Sequence, residues 1–311
     1  MNPELFLDQT DVVPLTLALN QFALRVNDAS DRQEVLESAG IDIGILSNLR
    51  LSTKPSIFAQ ALVAAFKSYR ISHQRLGYHP LVSLLKHLCE LAPIYGLADR
   101  DVALFTRLAE QGQENLKALI ARSAVGRIES PKGQGIGTGV FIGKSLLLTC
   151  DHIFSKSQAK QAWVRFNYTS GSYGLDSDVF ELDLDTATRC SQLDYALVRF
   201  KGEPRQGTAN LIDVILDIYS GEEIRLIHHP QGQPVVISDL GQIVQGGGDS
   251  DYIDHNVSTD EGSSGAPIFN RDWQLVAIHR GNLGTKRAGR SIDPGIMSGV
   301  PLRAFWKNIP T

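Results

Sequence analysis

The stretch TDEGSSGAPIFN, residues 259–270, sets two adjacent serines, Ser263 and Ser264, between glycines and follows them with a proline and a strand-like run. A tight surface turn would explain it. So would a nucleophile whose neighbours present bare backbone N–H groups to a reacting carbonyl. The surrounding chain decides between the two. Beyond Val125 apolar residues recur with a period of two in short runs, among them GIGTGVFIG (135–143), SLLLTCDHIF (145–154), QAWVRFNY (161–168), DYALVRF (194–200), EIRLIHHP (223–230), PVVIS (234–238) and QLVAIHRG (274–281). Gly, Pro, Asp and Ser separate the runs. Many short strands without helices between them predict a barrel or sandwich.

On that background three segments carry the side chains of nucleophilic catalysis. SLLLTCDHIF places His152 where the chain leaves an apolar strand, and QLDYALVRF places Asp194 immediately before another. The third is Ser264 in the opening stretch. A serine hydroxyl is a poor nucleophile at neutral pH, so an imidazole must take its proton, and a carboxylate must fix that imidazole's tautomer. The Gly262 and Ser264 N–H groups are the expected oxyanion donors. Asp151 is the rival carboxylate, but neighbours in a turn point apart, which favours Asp194. Ser263 is the rival hydroxyl; its spacing to Gly-Ala-Pro favours Ser264.

Residues 1 to about 122 read differently. PLTLALNQFAL (14–24), SDRQEVLESAG (30–40), KPSIFAQALVAAFKSYR (54–70), HPLVSLLKHLCEL (79–91) and DRDVALFTRLAEQGQENLKALIAR (99–122) repeat apolar residues at three- and four-residue steps. Pro14 is expected in a first turn, Ser30 and Asp99 as N-caps and Gly40 as a stop. VPLRAFWKNI (300–309) reads as a short terminal helix. The reading is an α + all-β chain of two domains, a helical bundle over 1–122 followed by a β domain over 123–311.

Composition narrows the function classes. The chain has 311 residues, 42% hydrophobic and 21% charged, with a net charge of −4 and no basic tract, so nucleic acid is an unsuited partner. No apolar run reaches the length of a membrane span, and the N-terminus lacks the basic-then-apolar order of a leader. Cys89, Cys150 and Cys190 are few, odd in number and widely spaced, which suits reduced thiols and a cytoplasmic location. His73, His79 and His87 are too scattered for a metal site, and no metal or organic cofactor is expected. GQGIGTGVFIG (133–143) repeats glycine at every second position, unlike a phosphate-binding loop, and suits close-packed strands.

The segments TCDHIF, LDYALVRF and GSSGAP resemble the T-A-A-H, D-I-A-L and G-D-S-G-G-P segments of the chymotrypsin-like serine proteases, over roughly residues 125–309. HHPQG (228–232) and SGVPLRAF (298–305) resemble the bacterial branch that contains glutamyl endopeptidases and HtrA-type proteases. The resemblance implies two packed six-stranded barrels, a protein or peptide substrate, and His152, Asp194 and Ser264 as the triad. It also implies substrate contacts at Ser258, Thr259, His279, Arg280 and Gly281. Ser258 stands where a trypsin-type pocket has aspartate, so cleavage after Arg or Lys is not expected. Thr259 and His279 match positions that hold an acidic side chain in glutamyl endopeptidases, with Arg280 as a compensating charge against Asp260 and Glu261.

DRQEVLESAGI, FAQALVAAF and HPLVSLLKHL resemble the effector-associated, death-fold-like helical domains of bacterial conflict systems. That resemblance implies docking to a partner carrying a similar helical domain, with oligomerisation on activation. Induced proximity and cleavage near ARSAVGR (121–127) both stay open as activation routes. So does a plain stabilising helical extension, and so does a non-catalytic adaptor whose barrel binds peptides.

Overall fold

The computed structural model describes residues 3–72, 75–170, 178–202, 204, 216–246, 250–282 and 295–309; His73 lies outside them. The chain divides into two compact units, one running to Leu119 and one from Ile120.

The first unit is helical: α1 Gln9–Arg25, α2 Ala29–Ser38, α3 Ile43–Leu46, α4 Pro55–Ser68, α5 Pro80–Tyr95 and α6 Asp99–Ser123, whose last turn crosses the division. Its core is built from the i, i+3, i+4 faces, with Leu15, Leu19, Phe22, Leu36, Phe58, Leu62, Phe66, Leu85, Leu88 and Phe105 all buried. Prolines open α4 and α5, where the missing N–H has no helical partner to lose. Three expectations about helix ends are corrected. Asp28, not Ser30, caps α2, its carboxylate accepting both the N–H and the hydroxyl of Ser30. Pro14 lies inside α1, because Asp8 caps that helix earlier. Asp99 is the first residue of α6, since the Ala98 carbonyl already accepts from Val102. Gly40 does follow the end of α2, at φ +71°.

The second unit is antiparallel β. Strands β1 Val125–Glu129, β2 Gly135–Phe141, β3 Leu146–Thr149, β4 Trp163–Phe166, β5 Val179–Cys190 and β6 Tyr195–Phe200 close a barrel in the order β1-β2-β3-β6-β5-β4. A short helix, α7 His152–Ser157, follows β3. Strands β7 Glu223–His228, β8 Val236–Ile237, β9 Gly241–Gln245, β10 Ile253–His255, β11 Pro267–Asn270, β12 Leu275–Gly281 and β13 Met297–Pro301 form a second sheet, ordered β11-β12-β13-β10-β9-β7-β8. A β11–β7 pairing closes six of these strands into a second barrel, with β8 attached to β7. The architecture is a helical region followed by a chymotrypsin-like double barrel. The C-terminal segment forms two short 3-10 turns, Leu302–Ala304 and Trp306–Asn308, in place of the expected helix.

Glycine packing explains the alternation in GIGTGVFIG: a Cβ at Gly137 would meet the Ile153 side chain at 2.6 Å, and one at Gly139 the Leu147 side chain at 2.9 Å. These contacts seat β2 against the elements that carry His152.

Candidate active site

Strand pairing brings the first two residues together. β3 and β6 run antiparallel with Thr149 opposite Ala196, so the end of β3 meets the start of β6. The chain leaves β3 through Cys150 and Asp151 into α7, whose first residue is His152. Asp194 precedes β6 in a left-handed conformation, φ +59°, that aspartate tolerates better than most residues. Its Oδ1 accepts the His152 backbone N–H at 2.9 Å, and its Oδ2 lies 2.8 Å from His152 Nδ1. A carboxylate on Nδ1 places the ring proton there and leaves the Nε2 lone pair free to accept. Nε2 is 2.9 Å from Ser264 Oγ.

Asp151, the rival carboxylate, is engaged elsewhere. Arg189 Nε donates to its Oδ1 at 2.5 Å and the Ser191 hydroxyl to its Oδ2 at 3.0 Å. The rival hydroxyl is engaged too: Ser263 is fully buried with Oγ 2.7 Å from His228 Nδ1. Burial lowers the His228 pKa to about 4, so this ring stays neutral at ordinary pH.

The loop carrying Ser264 is fixed through its backbone. Asp260 to Ser263 form a turn closed by the Ser263 N–H on the Asp260 carbonyl at 3.1 Å, with Gly262 at φ +87° in the third position. Gln231 N–H donates to the Glu261 carbonyl at 2.5 Å. Because the peptide is trans, holding that oxygen aims the Gly262 N–H the opposite way. Thr138 clamps the next peptides, its hydroxyl donating to the Gly262 carbonyl at 2.8 Å and its N–H to the Ser264 carbonyl at 2.9 Å. Among the described residues, the Gly262 and Ser264 N–H groups donate to no other group. Gly265 must be glycine: it has φ +81°, and a Cβ there would sit 2.3 Å from the Thr138 carbonyl oxygen.

The sequence-expected substrate contacts divide. Ser258 is exposed, Thr259 half-buried, and Gly281 adopts φ +93° at the end of β12. His279 is buried, with Nδ1 3.1 Å from His255 Nε2. His255 Nδ1 accepts the Val257 N–H at 3.2 Å, so His255 donates from Nε2, and His279 keeps its proton on its own Nε2. Burial holds the His255 pKa at about 4 and pushes that of His279 well below the usual range. No hydrogen bond joins Ser258 or Thr259 to His279 among the described residues. Arg280 turns to Asp194 instead, its Nε donating to Oδ2 at 3.2 Å. Asp260 and Glu261 are exposed.

A sulfur, an imidazole nitrogen and a carboxylate oxygen from Cys150, His152 and Asp194 lie within 4.8 Å of one another. The Cys150 thiol donates to the His279 carbonyl at 3.2 Å, and burial, with the Asp194 carboxylate nearby, pushes its pKa well up. A thiol held protonated suits packing beside His152 and Asp194 better than metal ligation. The three cysteines are unpaired.

Sequence reasoning missed Thr138, Gln231, His228 and His255. Gln231 acts through its N–H, which no side-chain motif reports. His255 sits in a three-residue strand whose pattern is too short to read.

Comparison with known proteins bears on both units. Residues 137–278 match the family model for a trypsin-like peptidase domain, and residues 9–123 match that for effector-associated domain 8. An uncharacterized protein, y4fB, of Sinorhizobium fredii is 29% identical over 196 residues, 55% of this chain and 29% of the relative. A glutamyl endopeptidase of Staphylococcus aureus (strain MRSA252) is 25% identical over 176 residues, 50% of this chain and 46% of the relative. The chain thus spans less than half the length of either curated relative. A crystal structure of the serine endoprotease from Yersinia pestis superposes with a TM-score of 0.49 and 18% identity, over 62% of this chain and 64% of that one.

Proposed function

We propose that this chain, which joins an effector-associated domain to a trypsin-like peptidase domain, is a serine endopeptidase recruited through its helical unit. The observation that carries the reading is the unbroken line from Asp194 Oδ2 through the His152 ring to Ser264 Oγ, with links of 2.8 and 2.9 Å. In the forward step Ser264 Oγ attacks the scissile carbonyl while His152 Nε2 takes its proton. Asp194 holds the imidazolium, and the Gly262 and Ser264 N–H groups receive the oxyanion. His152 then returns the proton to the leaving amine. Water repeats the sequence on the acyl-enzyme.

The primary specificity we assign is an acidic side chain. The donor is the Nε2–H of a neutral His279, oriented by His255, with the Thr259 hydroxyl and the Ser258 neighbourhood completing the pocket. The similarity to glutamyl endopeptidase supports the assignment, as does the solvation of Asp260 and Glu261, which keeps their charge in water. The Gly281 edge of β12 is where an extended substrate adds as a strand.

For control, recruitment fits better than a nick near residue 124. Ala124 and Val125 are buried, and Val125 already pairs with Val140 in β1, so cleavage there would have to tear out a barrel strand. The match to an effector-associated domain supports a bacterial defence role, and three unpaired cysteines suit the cytoplasm. No helix among the described residues is long and apolar enough to cross a membrane.

A fluorophosphonate probe tests the chemistry: Ser264 labels in the intact chain, and the label is lost in Ser264→Ala. Absence of labelling in the presence of a captured partner would favour an adaptor whose barrel only binds peptides. A peptide library tests specificity, with preference for Arg or Lys at the cleaved bond refuting the acidic pocket. Capture of a partner bearing a similar helical domain by full-length Ser264→Ala tests recruitment.

A further inference from the structure

Arg280 follows His279 on β12, and its guanidinium shares an oxygen with the general base. Arg280 Nε and His152 Nδ1 both reach Asp194 Oδ2, at 3.2 and 2.8 Å. The guanidinium is packed over the Tyr252 ring at 4.7 Å, and the Tyr252 hydroxyl is anchored on the Gln192 carbonyl at 2.6 Å, two residues before Asp194. The Arg280 side chain is 14% exposed and that of Asp194 4%, so little solvent screens the pair. A cation therefore rests on the carboxylate whose task is to stabilise imidazolium.

We propose that Arg280 is a positioning residue that locks Asp194 in place and sets a second cation on the oxygen that must hold the His152 imidazolium, so that the acidic limb of activity depends on Arg280. The proposal rests on the endopeptidase reading for its catalytic consequence, but not for its electrostatics. Protonating His152 puts a second positive charge on an oxygen already shared with a guanidinium. The repulsion falls on the imidazolium alone. The other groups around His152 leave that balance to Arg280. Asp151, its neighbour in sequence, is compensated by Arg189 of β5. Cys150 and His279 are buried, and burial holds both uncharged. Ser264 is a neutral partner.

The test uses the full chain with fluorescein-labelled casein, reading the acidic limb of kcat/KM, with circular dichroism at each pH to confirm the fold. Arg280→Gln should move the acidic limb to higher pH by about one unit, the size expected for a unit charge at this separation in a partly buried site. Arg280→Lys, which keeps the charge, should leave the limb near that of the parent. If Arg280→Gln does not fold, Arg280→Met retains the stem over Tyr252 and replaces it. A fall in plateau rate with an unmoved limb would mean that Arg280 only packs, and overturns the proposal. An NMR titration of the His152 ring in a Ser264→Ala background reads the same coupling without turnover. An unmoved midpoint on adding Arg280→Gln overturns the proposal there too. A midpoint that moves up in a protein that never cleaves casein upholds it while sinking the endopeptidase reading.

Discussion

A buried cation of the helical unit and the donors of the candidate site in the barrel unit are treated differently. In the helical unit Arg32 is 1% exposed, and its guanidinium is taken up by backbone carbonyls: Val26 at 2.8 Å, Leu51 and Thr53 at 2.7 Å, and Ala23 at 3.3 Å. Two of those carbonyls belong to the end of α1, where helices leave acceptors over. The remaining face of the cation lies 4.6 Å over Phe58. The barrel unit holds donors back instead. Gly262 and Ser264 keep their N–H groups uncommitted while Gln231 and Thr138 hold the carbonyls around them. Among the described residues, the two buried side-chain atoms without a hydrogen-bond partner, His229 Nε2 and Trp273 Nε1, both lie in the barrel unit. Saturation marks a region built to stay folded. Selective non-saturation, framed by saturated neighbours, marks one built to act on something else.

The largest effect that would break this contrast is chemical. On the proposed mechanism Ser264→Ala should lower hydrolysis by at least about 10⁴-fold, because nucleophile and base would act as a unit. Thermal unfolding should barely change, since the lost hydroxyl serves no fold contact beyond His152 Nε2. Activity assays paired with calorimetry check both halves of the claim.

Acid should separate the units next. Among the described residues of the helical unit, burial holds His79 neutral, at about 4. The barrel unit has His228 and His255 at about 4 and His229 at about 3, and burial pushes His279 well below its ordinary range. A histidine whose folded pKa lies below its unfolded one contributes stability that is complete above about pH 6.5 and is lost as pH falls toward the folded value. By about pH 5.5 each such ring costs roughly 1 kcal/mol. The barrel unit should thus lose several times what the helical unit loses. Hydrogen exchange read by mass spectrometry resolves both units in the intact chain. Equal losses would remove the distinction.

A smaller effect follows from Gly262. A Cβ there would stand 2.7 Å from the His229 carbonyl oxygen, at φ +87°. Gly262→Ala must therefore shift the turn that aims its own N–H, and kcat should fall by about 10² to 10³-fold, the usual cost of one oxyanion donor. KM should change little. A loss confined to KM would place Gly262 in substrate binding instead.

What could be read from the sequence follows the same division. The proposed site residues His152, Asp194 and Ser264 stand out in the sequence because each sits at a strand end or turn with unusual neighbours, and the prolines that open α4 and α5 mark those helices. β5 was not legible: its side chains are almost all half-exposed or exposed, and its pairing with β6 slips between Asp183 and Thr188, so no clean alternation survives. Arg280 was read as a pocket charge because sequence distance hides Asp194, 86 positions away. The cap of α2 was misplaced by two residues because Asp28 and Ser30 are both good caps, and only the formed turn shows that one donates to the other.

The smallest effect is also the sharpest, because it compares two serines side by side. Ser263→Ala leaves the His228 Nδ1 partner missing in a fully buried site, at a cost of about 1 to 2 kcal/mol in stability. Labelling by a fluorophosphonate should persist within a few-fold, since Ser264 and His152 are untouched. The neighbouring alanines should then give crossed results: position 264 loses chemistry and keeps stability, and position 263 loses stability and keeps chemistry. If both variants lost labelling equally, the hydroxyl at 263 would belong to the reacting group, and the assignment of one serine to folding and the other to attack would fail.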